Sequence, residues 1–177
     1  MVLSGVESRR SEPSGRRPRE PSGVAKIEEG DPIVGTPSRA QLEQWATNYV
    51  ALWNAGDREG WAENWRRVAP GGFRMLDPVG TPEKRGFEDC ALKPFDLFQP
   101  RVRFRIVDGT FFICGNEVAW LLENHITTDS RTFVGLSIET YRFEPDGSVE
   151  IRTFYRVPDR TDSELGEMFA TYLPDEG

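Results

Sequence analysis

The chain has 177 residues, of which 37% are hydrophobic, and this length and content predict one domain with its own core. Its net charge is −7. The acidic balance argues against a nucleic-acid partner, and no apolar stretch approaches the length of about 18 residues that a membrane span requires. A single histidine, His125, argues against a histidine-rich metal site or a Ser-His-Asp triad, so acid–base chemistry falls to carboxylates and tyrosines.

The first 35 residues are rich in Ser, Pro, Gly, Arg and Glu and show no hydrophobic periodicity. Such a segment buries too little apolar area to offset its chain entropy, so we expect a disordered tail over residues 1–35. The segment also lacks the apolar stretch of a secretory signal. Cys90 and Cys114 fit no paired metal-ligand spacing, so we expect reduced thiols in a cytoplasmic protein.

Two helices are predicted next along the chain. Thr36 and Pro37 have the pattern of a helix start, in which an N-cap residue precedes a proline. The apolar face of this helix repeats at steps of three and four residues, through Leu42, Trp45, Tyr49 and Leu52. Asn54–Gly56 ends the first helix, and Asp57 caps the second.

A short strand over residues 73–77 and a helix over about 86–98 come before a region where the hydrophobic period changes to two. Four strands are predicted in that region, over residues 102–106, 118–126, 133–143 and 149–157. Tight turns join these strands, so we expect an antiparallel sheet.

The order of elements predicts an α+β domain over residues 36–160, with helices packed on one face of a curved sheet. A curved sheet closed in this way leaves a cavity at its mouth, which is a usual place for a small-molecule site. Residues 161–177 are predicted to be a C-terminal extension that includes a short helix.

Three stretches of the sequence carry a resemblance to a known family: "NYVALWNAGDREGWAENW", "LDPVGTPEKRG" and "IETYRFEPDGSVEIRTFY". In this order they resemble the ketosteroid isomerase and SnoaL-like branch of the nuclear-transport-factor-2-like superfamily, over roughly residues 40–157. The resemblance implies a cone-shaped half-barrel, in which N-terminal helices close a curved antiparallel sheet around a deep pocket. It also implies an enzyme that needs no metal or organic cofactor.

The resemblance assigns three catalytic positions. The family places a catalytic aspartate directly before a Pro-hydrophobic-Gly turn, which is Asp77 here, and an oxyanion-binding tyrosine on the first helix, which is Tyr49. It places a protonated aspartate on the penultimate strand, where this chain has Glu139, one methylene longer. By this resemblance Asp77 is a base that abstracts a proton α to a carbonyl, while Tyr49 and neutral Glu139 donate to the developing oxyanion.

Each of these residues also has a structural interpretation. An aspartate before proline is a common turn initiator, and Tyr49 lies on the apolar face of its helix. Simple alternation would place Glu139 in water, because Val134, Leu136 and Ile138 form the more apolar face of its strand. If Glu139 instead faces inward, that apolar face needs a cover, which predicts a homodimer through the outer sheet face.

If Glu139 faces inward, the faces of the neighbouring strands that point the same way form further parts of the pocket wall. The predicted substrate-binding residues are Trp120, Leu122, Asn124, Ile126, Ser137, Thr153 and Tyr155. The first functional hypothesis is an isomerase-like enzyme acting on an apolar, steroid- or polyketide-like carbonyl compound. The alternatives are a SnoaL-like cyclase or dehydratase, which the polar Asn124, Ser137 and Thr153 fit better, and a non-catalytic small-molecule binding module.

Overall fold

A computed structural model describes residues 35–155 of the chain. The predicted tail up to residue 34 and the predicted C-terminal extension, 161–177, lie outside the described residues. Within the described residues there are three α-helices and one π-helical segment: α1 (Arg39–Ala55), α2 (Arg58–Val68), the π-helical segment (Glu88–Leu92) and α3 (Lys93–Phe98). The same part of the chain has seven strands in one sheet: β1 (Gly72–Leu76), β2 (Lys84–Arg85), β3 (Val102–Ile106), β4 (Phe112–Cys114), β5 (Glu117–Thr127), β6 (Thr132–Phe143) and β7 (Ser148–Tyr155).

The boundaries of the first two helices follow from their caps. Ser38 is the N-cap of α1 and forms a capping box with Gln41, so the predicted start at Thr36 is wrong by two residues. The reciprocal bonds between Ser38 and Gln41 satisfy two helix N–H groups, which a proline at residue 37 does not. Gly56 ends α1 in a left-handed conformation, and Asp57 caps α2 by accepting from the backbone N–H of Gly60 at 2.9 Å.

The sheet has the strand order β2-β1-β7-β6-β5-β3, and β4 also pairs with β5. The prediction of an antiparallel sheet is correct for β3 to β7 but wrong for β1, which pairs with β7 in parallel through Phe73 and Val149. Two parallel strands need a long crossover connection, and here the connection consists of all the elements between β1 and β7. The sheet is therefore mixed, and β1 is brought beside the last described strand.

The helices pack on the concave face of the sheet and enclose an aromatic core. Its largest fully buried side chains include Trp45, Trp65, Trp120, Tyr141 and Phe143. Trp45 stacks on Trp120 with ring centroids 5.4 Å apart, which ties α1 to β5. The predicted α+β architecture is confirmed. Within residues 35–155, no helix is both long enough and apolar enough to cross a membrane.

Candidate active site

A cavity lies between the helices and the concave face of the sheet. The space between atoms there is about 680 Å³ when the open mouth is included. Its wall is mostly aromatic and aliphatic, with a small set of polar side chains. These are Tyr49, Asp77, Asn124, Glu139, Tyr141, Thr153 and Tyr155.

Asp77 lies directly after β1, in a turn that is attached to the rest of the sheet. The backbone N–H of Val79 donates to the carbonyl of Thr153 on β7 at 2.8 Å. The hydroxyl of Thr81 donates to the carbonyl of Pro78 at 2.7 Å, and the Asp77–Pro78 peptide is cis. These bonds fix the turn against β7, so the side chain of Asp77 is held at the cavity wall.

The carboxyl group of Asp77 is in an unusual electrostatic position. Burial raises its pKa, and the nearby charge of Lys84 opposes this, as do hydrogen bonds from the hydroxyls of Tyr155 and Thr153. Its Oδ1 atom is buried and has no hydrogen-bond partner among the described residues. An unpaired carboxylate oxygen in a cavity wall is costly unless a ligand or a proton satisfies it, which makes Asp77 a candidate acid–base group.

Glu139 faces inward from β6 and is only 5% exposed. Three side chains donate to one of its oxygens, Oε2: the indole of Trp120 at 2.9 Å, the hydroxyl of Tyr141, and the hydroxyl of Tyr49 at 3.4 Å. In the described part of the chain, none of the hydrogen bonds to this carboxyl group ends on Oε1. The second oxygen is thus left for whatever occupies the cavity.

Burial raises the pKa of Glu139 from its usual 4.5 to about 7, although the bonds from Tyr141, Trp120 and Tyr49 lower it, and the charge of Asp77 raises it further. Desolvation therefore outweighs the three donors. A carboxyl group with a pKa of about 7 can hold or release a proton near neutral pH, which is a useful property for a general acid.

Tyr141 was not among the residues predicted from the sequence. Its hydroxyl lies 3.2 Å from that of Tyr49 and donates to Glu139. Burial raises the pKa of both tyrosines well above their usual range, so both remain protonated donors. The sequence did contain a signal for Tyr141. In a strand, residues two apart lie on the same face, so a residue two positions after Glu139 is expected on the face of Glu139.

Four of the seven predicted wall residues border the cavity: Asn124, Ile126, Thr153 and Tyr155. The other three are buried but are not among the residues that line it. Trp120 donates to Glu139, Ser137 accepts from the amide of Asn124 at 3.0 Å, and Leu122 packs in the core. The wall also includes Cys90, whose thiol has a pKa raised by burial to about 12.

Within residues 35–155, no group of three or more His, Cys, Asp or Glu side chains could hold a metal ion. His125 is on the outer face, where its Nε2 lies 2.8 Å from the carboxylate of Glu123. The residues that border the cavity together include the carboxyl groups of Asp77 and Glu139 and the hydroxyls of Tyr49 and Tyr141.

No protein-family model and no curated protein sequence match the chain, whereas several solved structures do. A candidate SnoaL-like polyketide cyclase from Jannaschia sp. CCS1 has a TM-score of 0.54 at 16% identity, covering 83% of this chain and 99% of its own. SalBIII, an epoxide hydrolase/cyclase-like enzyme of pyran ring formation in salinomycin, has a TM-score of 0.53 at 17% identity, covering 67% and 92%. The Mycobacterium tuberculosis protein Rv0760c has a TM-score of 0.52 at 20% identity, covering 68% and 95%.

At these identities the likeness is one of fold. It confirms the cone-shaped α+β fold that the sequence predicted, which the Jannaschia SnoaL-like cyclase candidate shares. One fold of this kind carries many activities, so the chemistry depends on the side chains in the cavity.

Proposed function

We propose that the chain is an acid–base enzyme that moves a proton α to the carbonyl of a largely apolar small molecule, without a cofactor. The observation that carries this proposal is the presence of two carboxyl groups, Asp77 and Glu139, in one mostly apolar cavity, each with a raised pKa. Two carboxyl groups in different surroundings can divide the roles of base and acid between them.

Asp77 is the base in this proposal. Its Oδ1 has no partner among the described residues, so it is available to remove a proton from the carbon next to the carbonyl. The carbon's electron pair then moves toward the carbonyl oxygen, and Asp77 returns the proton to a second carbon on the same side. This step needs a donor at the oxygen, where negative charge develops.

Glu139 supplies that donor. Because Oε2 already accepts three hydrogen bonds, the acidic proton belongs on Oε1 and is directed to the ligand. Tyr49 has the longest of the three contacts, at 3.4 Å, and it can turn its hydroxyl to the same ligand oxygen. Tyr141 and Trp120 then hold Glu139 in place.

A structural relative supports an apolar ligand of this kind. Rv0760c has been solved in complex with estradiol-17β-hemisuccinate, in a structure with a TM-score of 0.50 to this chain at 21% identity, covering 66% of this chain and 95% of that one. The aromatic wall of the present cavity, which includes Trp53, Trp61 and Phe104, suits the same class of flat apolar molecule.

A second candidate, a SnoaL-like cyclase or dehydratase, is favoured by the polar groups next to Asp77. The hydroxyls of Tyr155 and Thr153 hydrogen bond to Asp77, and Asn124 adds an amide to the wall. In a dehydration, Asp77 would take the α-proton and protonated Glu139 would give its proton to the leaving hydroxyl, which forms water and a double bond.

The test is α-proton exchange in deuterated water, followed by NMR for a panel of cyclic ketones, enones and β-hydroxy ketones. Asp77→Asn removes the base, so we expect a loss of about a thousandfold in exchange rate with folding intact. Glu123→Gln is the control, because Glu123 is a carboxylate on the outer face that is ion-paired with Arg105. Unchanged exchange in Asp77→Asn would rule out the proposal, and ligand binding by the wild type without any exchange would favour a binding module.

We also propose that the chain forms a homodimer through the outer face of its sheet. Val134, Ile138 and Phe154 lie on that face and are 50%, 51% and 41% exposed. Exposed apolar side chains that cluster on one face are typical of a surface that another chain covers.

A further inference from the structure

Lys84 is the residue that closes the Asp77 turn. It is the first residue of β2 and is paired with Met75 of β1, so the chain leaves β1 at Asp77 and returns beside it. The Nζ atom of Lys84 donates to the backbone carbonyl of Asp77 at 2.6 Å. With the bond from Val79 to Thr153, this attaches the turn both to β2 and to β7.

We propose that Lys84 is the positioning residue of Asp77: its ammonium group fixes the carbonyl of Asp77 and places a cation beside the carboxylate that serves as base. This inference rests on the proposed function only for the role of Asp77. Lys84 itself is half-buried on a two-residue strand, and it is not among the residues that line the cavity. It therefore acts through Asp77 and not on the ligand.

The ionisation of Asp77 depends on the titratable and polar groups that surround it. Glu139 on β6 and Tyr49 on α1 interact electrostatically with Asp77, and a negative charge on either would disfavour ionised Asp77. Cys90, from the π-helical segment, also interacts with it and is a neutral thiol at ordinary pH. Tyr155 and Thr153 on β7 are neutral hydrogen-bond donors.

Lys84 is thus the cation in this set. Burial raises the pKa of Asp77, and the charge of Lys84 is the largest effect that lowers it. Burial also lowers the pKa of Lys84, while the charge of Asp77 raises it. The two groups therefore favour each other's charged forms, as expected for opposite charges in a partly desolvated place.

The experiment compares the wild type with Lys84→Met, which removes the charge and the donor, and with Lys84→Arg, which keeps both. Arg85→Met is the matched control, because Arg85 is the exposed neighbour on the same strand. The first readout is the ¹³C NMR titration of the Asp77 carboxyl group in the ligand-free protein. We expect the titration of Asp77 to move to higher pH in Lys84→Met, to be restored in Lys84→Arg and to be unchanged in Arg85→Met.

The second readout is the pH profile of kcat/KM for α-proton exchange. In Lys84→Met the acid limb should move to higher pH, with a loss of about tenfold on that limb, while the alkaline limb, on which Glu139 loses its proton, should stay in place. A purely structural role would lower the rate at every pH without moving the limb. If Lys84→Met does not fold, Lys84→Gln keeps a donor near the carbonyl without the charge, and the same NMR titration is measured on it.

The titration separates this inference from the proposed function. An Asp77 titration that is the same in Lys84→Met and in the wild type would overturn the role of Lys84, even where Asp77→Asn abolishes exchange. A shifted titration together with normal exchange in Asp77→Asn would retain the electrostatic pairing and overturn the proposed role of Asp77 as base.

Discussion

The two faces of strand β6 have opposite characters. On the inner face, Ser137, Glu139 and Tyr141 are all at most 5% exposed, although each has a polar group. On the outer face, Val134 and Ile138 are about half exposed, although both are aliphatic. A sheet with one face in water usually has the reverse arrangement, with apolar residues inward and polar residues outward.

The inner face tolerates its polar groups because they have partners there. Glu139 receives three donors, and Ser137 accepts from Asn124. A buried polar network of this kind is acceptable only when its members are satisfied, and the described network leaves Oε1 of Glu139 for a ligand. The inner face therefore has the polar groups that the proposed site requires, and the outer face has the exposed apolar side chains that the proposed homodimer requires.

The largest expected effect concerns packing on the inner face. Trp120→Ala should lower the free energy of unfolding by about 4 kcal/mol, because it leaves a large cavity and removes the indole donor to Glu139. On the outer face, Phe154→Ala should cost about 1 kcal/mol, since the ring is already partly exposed. Urea unfolding of both variants measures the difference, and equal losses would contradict the comparison.

A second effect is a dependence of stability on pH that comes from Glu139. Its folded-state pKa is raised, so the folded protein binds more protons than the unfolded chain, and this contribution to stability is lost as the pH rises from 4.5 to about 7. The rise from 4.5 to about 7 corresponds to roughly 3 kcal/mol.

Glu139→Gln cannot ionise, so its free energy of unfolding should not show this decline. The measurement is denaturant unfolding at a series of pH values for the wild type and the variant. If the free energy of unfolding declines equally with pH in the wild type and in Glu139→Gln, Glu139 does not titrate in this range. The inner and outer faces of β6 would then differ in packing alone.

The smallest expected effect on stability is on the outer face. Ile138→Ser should change the free energy of unfolding of the monomer by no more than about 0.5 kcal/mol, yet it should weaken the proposed homodimer. Sedimentation velocity at several concentrations measures this, with Thr140→Ser on the same strand face as the control. A monomeric wild type, or a variant that still forms the dimer, would overturn the proposed interface.

Local signals in the sequence predicted the helices and most strands well. Gly56 and Asp57 mark the junction between α1 and α2 because their conformations and caps depend on neighbouring residues alone. The three-residue strand β4 was missed, since three residues are too few for a period of two to appear. Ser38 was missed as the N-cap because its partner Gln41 is a less obvious signal than a proline.

The site was harder to predict than the elements that hold it. Alternation along β6 pointed Glu139 outward, and the pairing of Glu139 with Trp120 of β5 is what places it opposite an inward side chain. The contact between Lys84 and Asp77 depends on how β2 folds back on β1. These are pairings between separate segments, and no window of a few residues contains them.

The parallel pairing of β1 with β7 has a consequence for how the protein is made. Phe73 and its partner Val149 belong to the first and the last of the described strands, and the Asp77 turn is attached to Thr153 of the same last strand. During synthesis, the helices and β1 leave the ribosome long before β7 does. The site is therefore assembled last, and contacts of such long range in sequence are the kind that slow folding.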